Sequence, residues 1–333
     1  MLSKLFESLY LKVFISIVVF RAKSVVYVET VGKSGVIDTF EESFDTTGVD
    51  AKMYEYISTH LSESPFYYIS ILDKSLSQGA CPSCSSKEMS QYFDVSSSKY
   101  ICYAKSWSSY TSKLDIHSLE KEYSKIGLDF IFSPFVVLAK FFKDKIDTNM
   151  AMFILIEDSF ITLSVFDNSE LLYAQHLDMQ HHEDSDELLM QENDVDDTDL
   201  EIDDIDLEDF DADELDNLGD IEDLDTVDDL DEFSDAKDID EESEDKSDDL
   251  PIKEIDSFNE DYQRFLLIQG AISDFYKNEK YKSQFIESTY IADGVGVSGD
   301  LKRYLEEEMF LNVYVRSMDL NVEVCELAKA ELQ

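Results

Sequence analysis

A glycine-rich turn near the end of the chain carries residue types suited to binding a small ligand. Gly294, Gly296 and Gly299 fall within six residues, with Ser298 beside the last. Glycine permits positive φ angles and lets a ligand approach the backbone closely. A helix predicted to begin near Asp300 would offer free N–H groups and its positive dipole end. Because Asp300 would compete with a phosphate there, the turn favours a nucleoside. The alternative is a connecting turn with no ligand.

Two acidic residues and a serine form the turn between two predicted strands further upstream. Glu157 and Asp158 offer carboxylate oxygens, the hard ligands that Mg²⁺ prefers, and Ser159 follows them. The alternative is a polar hairpin turn in water. In an earlier turn, Arg21 and Lys23 carry charges that could neutralise phosphates or remain solvated. We predict no catalytic residues and no dedicated metal site, since the chain has no nucleophile elbow, P-loop or H-E-x-x-H sequence.

The cysteines leave three interpretations open. Cys81 and Cys84 form a C-x-x-C sequence. A zinc site would need two more ligands, for which Cys102 and His117 are candidates. A redox pair would lie at a helix N-terminus. The third alternative is a serine-rich loop over Ser75–Ser98 with incidental cysteines. Four cysteines are too few for a disulfide scaffold in this chain, so we expect a reduced, cytoplasmic protein.

An acidic run dominates the charge of the chain. Residues 181–250 hold 36 of the 75 acidic residues and two lysines, which gives −34 of a net −48. Such repulsion, with few apolar residues, predicts a disordered insertion. The acidic balance argues against nucleic-acid binding through phosphate contacts and against binding to anionic membrane surfaces. The run either docks on a basic partner or only solubilises the protein.

Hydrophobic patterning predicts two copies of an α/β unit. Each begins with three strands joined by short polar turns and continues with alternating helices and strands. The predicted boundaries are residues 1–148 for the first lobe, and 149–180 with 251–333 for the second. The apolar stretch Leu9–Phe20 has 12 residues and contains Lys12. It is short of the ~20 residues of a spanning helix, so we interpret it as a buried strand rather than a membrane anchor.

Two stretches of the second half resemble a known family. Met150–Leu172 reads MAMFILIEDSFITLSVFDNSELL, and Ser288–Arg316 reads STYIADGVGVSGDLKRYLEEEMFLNVYVR. With the duplicated βββαβα order, they resemble the actin-like, ribonuclease H-type ATPase superfamily, and within it the PilM and GspL assembly proteins. The resemblance implies an α/β, duplicated ribonuclease H-like (actin-like) two-lobed fold.

In that superfamily the first hairpin of the second lobe contacts nucleotide phosphates, and a glycine-rich element lies beside the adenosine. The resemblance therefore implies a nucleotide site made of these residues: Glu157, Asp158, Ser159, Gly294, Gly296, Ser298 and Gly299. Active members place an Asp-x-Gly pair in each phosphate hairpin. Here the first turn, at Phe20–Ser24, has neither acid nor glycine, and the second, at Ile156–Ser159, has acids but no glycine. ATP with Mg²⁺ is the cofactor implied, and we do not expect hydrolysis.

The function implied by the resemblance is that of a cytoplasmic scaffold in a type IV pilus, type II secretion or DNA-uptake (competence) machine. In PilM-like proteins, the interlobe cleft captures a peptide of a PilN-like inner-membrane protein and couples it to a motor ATPase complex. The chain ends at Gln333 without a predicted membrane helix, which favours a PilM-like layout on the inner-membrane face of a bacterial cell. Its membrane association would then be peripheral, through partners.

Two other classes of function remain open. The first is an active actin-like ATPase or sugar kinase that depends on Mg²⁺ and on Glu157 or Asp158. The second is a regulatory protein whose acidic run mimics nucleic acid on a basic surface. A phosphate-release assay at saturating ATP would identify the first. Deletion of residues 181–250 separates the second from the scaffold, because the regulatory protein would lose its function with its fold intact, whereas the scaffold would tolerate the deletion at least in part.

Overall fold

The computed structural model describes residues 10–179, 252–281, 283–297 and 299–332, with the backbone alone for 252–259. The predicted disordered insertion, residues 181–250, lies outside the described residues, and so does the candidate site residue Ser298.

The first half of the chain forms eight strands and five helices in its described part. In chain order they are β1 Lys12–Val19, β2 Ser24–Gly32, β3 Gly35–Phe44, α1 Ala51–Leu61, β4 Tyr67–Leu72, β5 Gly79–Cys81, α2 Ser86–Met89, β6 Ser98–Tyr103, β7 Trp107–Ser112, α3 Lys113–Glu122, β8 Phe130–Phe132, α4 Pro134–Phe141 and α5 Lys143–Ile146. Leu9–Phe20 was interpreted as a strand, and its described part confirms this as β1.

The remaining described residues form five strands and three helices. They are β9 Ala151–Ile156, β10 Phe160–Asp167, β11 Glu170–Asp178, α6 Ile252–Lys277, β12 Ser288–Asp293, α7 Gly299–Glu307, β13 Asn312–Ser317 and α8 Leu320–Glu331. Within the described ranges, no helix is long and apolar enough to cross a bilayer.

Two five-stranded sheets repeat one topology. The first has the order β3-β2-β1-β4-β8 and the second β11-β10-β9-β12-β13. In each, the first three strands are antiparallel and the last two run parallel to the central strand. The antiparallel part follows from short turns, whereas parallel neighbours require a helical crossover. The repeated order confirms the predicted duplicated α/β fold.

Side chains of each central strand alternate between two hydrophobic cores, one on each face of the sheet. In β9, Ile154 belongs to a core that α6 and α7 cover, whereas the preceding residue, Phe153, faces a core between the two sheets. In β1, Ile15 likewise belongs to the outer core, which α1 covers, and Phe14 belongs to the core between the two sheets. Successive side chains point to opposite faces of a sheet, so continuous apolar strands require a layer on each side. The layers are therefore helix, sheet, helix, sheet, helix.

The middle layer consists of helices that pack on the opposite half of the molecule. Helix α4, from the first half, contacts β9 and β10, and α8, from the end of the chain, contacts β1, β2 and β4. Asp319 caps α8 by accepting hydrogen bonds from the N–H groups of Asn321 and Val322. The Ser16 hydroxyl donates to the carbonyl of Asn321 at 2.7 Å. Each sheet therefore depends on a helix from the other half for one of its faces.

A third, small sheet with the order β5-β7-β6 is inserted after β4. We predicted a loop over Ser75–Ser98 and did not predict β5, α2 or β7. The prediction was wrong there because β5 has only three residues and β7 reads WSSYTS, without aliphatic side chains. Cys84 and Cys102 form a disulfide across this subdomain, which differs from the expected reduced state.

Candidate functional site

A cleft of about 890 Å³ lies between the two large sheets. The turn after β1 and strand β3 contribute Phe20, Lys23 and Glu41, and the second half contributes Asp158 and the backbone around Gly294, among others. The turns at the ends of β1, β9 and β12 meet here because β1 and β9 are the central strands of their sheets and β12 is the parallel neighbour of β9. The predicted site residues Asp158, Gly294 and Gly296 line the cleft.

Direct hydrogen bonds join the two hairpin turns across the cleft. The Arg21 backbone N–H donates to Asp158 Oδ2 at 3.1 Å, and Arg21 Nη2 donates to the Asp158 carbonyl at 2.7 Å. Arg21 Nη1 lies 3.7 Å from a carboxylate oxygen of Glu260 in α6. Arg21 was predicted either to neutralise phosphate or to remain solvated. Instead, a charged group of the protein occupies the space between the hairpins.

Lys74 adds a second connection between the two halves. Its Nζ donates to the carbonyls of Val19 and Phe20, at 2.9 and 3.3 Å, and to Ser159 Oγ at 3.4 Å. Burial lowers the pKa of Lys74, and the neighbouring acidic pair Glu157 and Asp158 partly offsets this effect. Sequence reasoning missed Lys74. The signal that could have found it is its position two residues after the buried strand β4, because ligands often bind at the carboxyl ends of parallel strands.

Glu157 lies completely buried behind the cleft. Its Oε2 accepts from the Ser159 N–H and hydroxyl, at 2.8 and 2.6 Å. Burial, followed by a hydrogen bond with Asp158 and repulsion from its charge, raises the pKa of Glu157 to about 8. Glu157 Oε1 and Asp158 Oδ1 are both buried and have no other hydrogen-bond partner among the described residues, so a proton held between the two carboxyl groups would satisfy both atoms. A protonated Glu157 is a poor Mg²⁺ ligand, because cations bind carboxylate anions.

The glycine turn already contains an anion. Asp293, the last residue of β12, accepts hydrogen bonds from the N–H groups of Val295, Gly296 and Val297 at 2.7–3.1 Å. A turn of this kind binds anions through successive N–H groups. The carboxylate that occupies these donors belongs to Asp293, whereas Asp300 pairs with Arg303 at 2.7 Å.

Two glycines of this turn are required by the backbone conformation and by close packing. Gly296 has a φ of +79°. A Cβ atom at Gly294 would lie 3.0 Å from the Ile156 carbonyl, so only glycine fits without a shift. Gly299 begins α7 and is not among the residues that line the cleft.

The charges lining the cleft are mostly negative. Five carboxylates and two cations contribute: Glu41, Asp158, Glu260, Asp261, Asp319, Lys23 and Arg264. Arg264 is held by Asp261 at 2.6 Å and Glu260 at 2.8 Å. A cleft with low-dielectric walls and one sign of charge concentrates ions of the opposite sign. The described cleft is therefore electrostatically suited to a cation rather than to a polyphosphate.

The cysteine candidates do not converge on a metal site. Cys81 is a buried free thiol, with Sγ 3.2 Å from the Ser108 hydroxyl, and Cys84 pairs with Cys102. No group of three or more His, Cys, Asp or Glu side chains capable of holding a metal occurs among the described residues.

Two sheets of identical strand order around a shared cleft define the actin-like ATPase fold. Residues 152–333, more than half of the chain, match the model of a family described as a domain of unknown function (DUF8341), and the protein belongs to that family. Residues 10–139 match a second such model, DUF8569. The comparison with curated proteins found no match.

Solved structures with the same fold cover almost the whole chain at low identity. A Bacteroides thetaiotaomicron protein with an actin-like ATPase fold and unknown function is 11% identical, with a TM-score of 0.44 and 96% of each chain covered. A PilM–PilN type IV pilus biogenesis complex is similar at 10% identity, a TM-score of 0.47 and 94% of each chain. The ethanolamine utilization protein EutJ from Carboxydothermus hydrogenoformans is 9% identical, with a TM-score of 0.41, 95% of this chain and 89% of that chain.

Proposed function

We propose that this protein is a non-hydrolytic scaffold whose interlobe cleft binds a cationic segment of a partner protein. The proposed partner is a PilN-like inner-membrane protein, which contributes a cytoplasmic peptide. The complex would serve a type IV pilus, type II secretion or DNA-uptake machine together with its motor ATPase. This chain would then lie in the cytoplasm, at the inner-membrane face of a bacterial cell.

The bond between the two hairpin turns carries the proposal. In active members of the actin-like superfamily, these hairpins cradle the nucleotide phosphates. Here Arg21 contacts Asp158 directly, and Lys74 links the end of β1 to Ser159. Opening this space for a triphosphate would break these half-buried contacts and bring the phosphates against the carboxyl groups of Asp158 and Glu260, where like charges repel. This arrangement supports a scaffold over an ATPase or sugar kinase.

The negative charge of the cleft supports the proposal that the bound segment is cationic. An ATP molecule with its Mg²⁺ remains anionic, whereas the cleft lining already has more carboxylates than cations. A peptide with Lys or Arg side chains would pair with carboxylates that face the opening, such as Glu41. Such pairs mainly set specificity and the association rate.

Purified full-length protein allows a direct test. We expect no phosphate release at saturating ATP and Mg²⁺, and saturable binding of a labelled lysine-rich peptide measured by fluorescence anisotropy. Glu41→Lys reverses a charge at the cleft opening and is expected to weaken peptide binding about tenfold, equivalent to ~1.4 kcal/mol.

Glu42→Lys is the matched control, because Glu42 is the next, equally exposed residue of β3 and does not line the cleft. Its binding should stay within twofold of the unmodified protein. ATP turnover would contradict the scaffold and support the kinase or ATPase alternative. Equal losses in both variants would show that the peptide binds general surface charge rather than the cleft.

A further inference from the structure

A second cavity lies on the side of the first sheet, away from the interlobe cleft. Its volume is about 450 Å³, and it shares no lining residue with the cleft. Strands β6 and β7 of the small sheet form one wall, and α3 with β8 forms the other. The small sheet therefore creates this cavity, which we name the side pocket.

The side pocket contains a buried carboxylate without a counter-ion. Asp73 follows β4 and is 6% exposed. It accepts a hydrogen bond from the Ser75 N–H at 2.9 Å, and it forms no ion pair within the described residues. Burial raises the pKa of Asp73, although hydrogen bonds from Ser75 and Thr111 oppose the shift. A buried charge is costly unless it is paired, so a cation in the pocket would remove this penalty.

Apolar side chains form the walls around this carboxylate. Because alternate residues of β6 share a face, Ile101 and Tyr103 lie on the same side, opposite Ile116 and Ile131. Ile101 is 59% exposed, a large fraction for an isoleucine beside a cavity. An apolar pocket with a few directed polar groups is typical of small-molecule sites.

The other charged groups of the side pocket are already engaged. Lys99 pairs with Glu120 at 3.6 Å. Asp129 accepts from the Ile69 N–H at 2.8 Å and is exposed to water, whereas Asp73 is buried. Asp73 is thus the carboxylate that remains for a ligand, and the net negative lining disfavours anions.

We propose that the side pocket binds a small organic amine that carries one apolar group. Its ammonium pairs with Asp73, and its apolar part packs against Ile101, Ile116 and Ile131. This inference is independent of the proposed function of the interlobe cleft.

Isothermal titration calorimetry on the full chain tests this assignment with phenethylamine, phenethyl alcohol and phenylacetate. The titrations are carried out at high salt, which weakens non-specific attraction of the amine to the net negative charge of the protein but screens a buried ion pair much less. We expect phenethylamine to bind at least tenfold more tightly than the alcohol, which has the same shape without the charge, and phenylacetate not to bind.

Three variants locate the binding. Asp73→Asn keeps the size of the side chain and should weaken amine binding at least tenfold. Ile101→Arg changes an exposed residue at the rim, so it should fold normally and block the pocket with a cation. Asp38→Asn removes an exposed carboxylate of β3 and should change nothing. The proposal is overturned if amine and alcohol bind equally, if no saturable amine binding occurs, or if the first two variants bind like the unmodified protein.

Discussion

Arg21 and Asp158 are separated by 137 positions in sequence and are joined in the structure. Both residues were identified from local patterns, as a possible phosphate contact and a possible Mg²⁺ ligand. Local patterns describe each turn alone, so they could not show that the two turns bind each other. Asp293 illustrates the same limit: the glycines after it were recognised, but the side chain that fills their turn was not.

The buried Glu157 makes stability depend on pH. Folded protein keeps the Glu157 proton until about pH 8, whereas the carboxyl has an ordinary pKa of 4.5. Between these values the folded state binds more protons, so the free energy of unfolding falls as pH rises. Glu157→Gln keeps a neutral group that can still donate to Asp158. From pH 6 to pH 9 the variant should lose less stability than the unmodified protein, by on the order of 2 kcal/mol.

Urea denaturation at several pH values measures this difference. Glu170→Gln is the control, since Glu170 is exposed at the start of β11 and should leave the pH profile unchanged. Lys74 titrates in the same environment, but it is present in all three proteins, and the comparison removes most of its contribution. Parallel profiles for Glu157→Gln and the unmodified protein would contradict the shared proton.

At the scale of elements, the sequence predicts strands best where apolar and β-branched residues run without interruption. The two three-stranded meanders were predicted, and helix α7 begins within one residue of the predicted start at Asp300. The small sheet was missed because its strands are short and serine-rich. Strand propensity largely reflects how side chains pack against neighbouring residues, and that packing cannot be read from the sequence of a short strand. The rest of the molecule supplies such neighbours for the small sheet: Trp107 of β7 contacts Phe166 of β10, with ring centroids 5.9 Å apart.

The disulfide should stabilise the small sheet more than the rest of the protein. Cys84 and Cys102 are 18 residues apart, and closing a loop of this length is worth at most about 3 kcal/mol. Cys102 lies in β6, so reduction should accelerate hydrogen exchange in β6 and β7 and leave β9 and β10 unchanged. Hydrogen exchange with mass spectrometry, with and without reductant, measures this effect.

The double variant Cys84→Ser with Cys102→Ser provides the control for that experiment. It should show the fast exchange without reductant and no further change when reductant is added. Unchanged protection of β6 after complete reduction would show that the disulfide contributes nothing to the small sheet.

At the scale of the whole molecule, α4 and α8 each cover a sheet from the other half. Continuous apolar strands indicated that both sheets are covered on two faces, but not which helix covers which face. The sequence-based division into lobes at residue 148 therefore separates helices from the sheets they stabilise. The two halves share one core, in which Phe14, Phe153 and Val324 belong to the same cluster.

A fragment of residues 1–148 should consequently fail to form a stable fold alone. It lacks α8 and would expose the inner face of the first sheet, including Phe14 and Val18. Large exposed apolar patches of this kind are unstable in water. We expect poorly dispersed NMR amide resonances for the isolated fragment and recovery of native dispersion when it is co-expressed with residues 149–333. A well-dispersed spectrum from the fragment alone would contradict the shared core.

Because α4 and α8 each cover a sheet of the other half, they also limit how this protein can transmit a signal. Two-lobed proteins usually respond to ligands by hinge bending, in which the lobes swing apart as nearly independent bodies. Here hinge bending would have to separate α8 from the first sheet and break the contact between Lys329 and Glu29. Sliding of the packed helices along the sheets preserves these contacts, so a shear of small amplitude is the motion that this architecture permits.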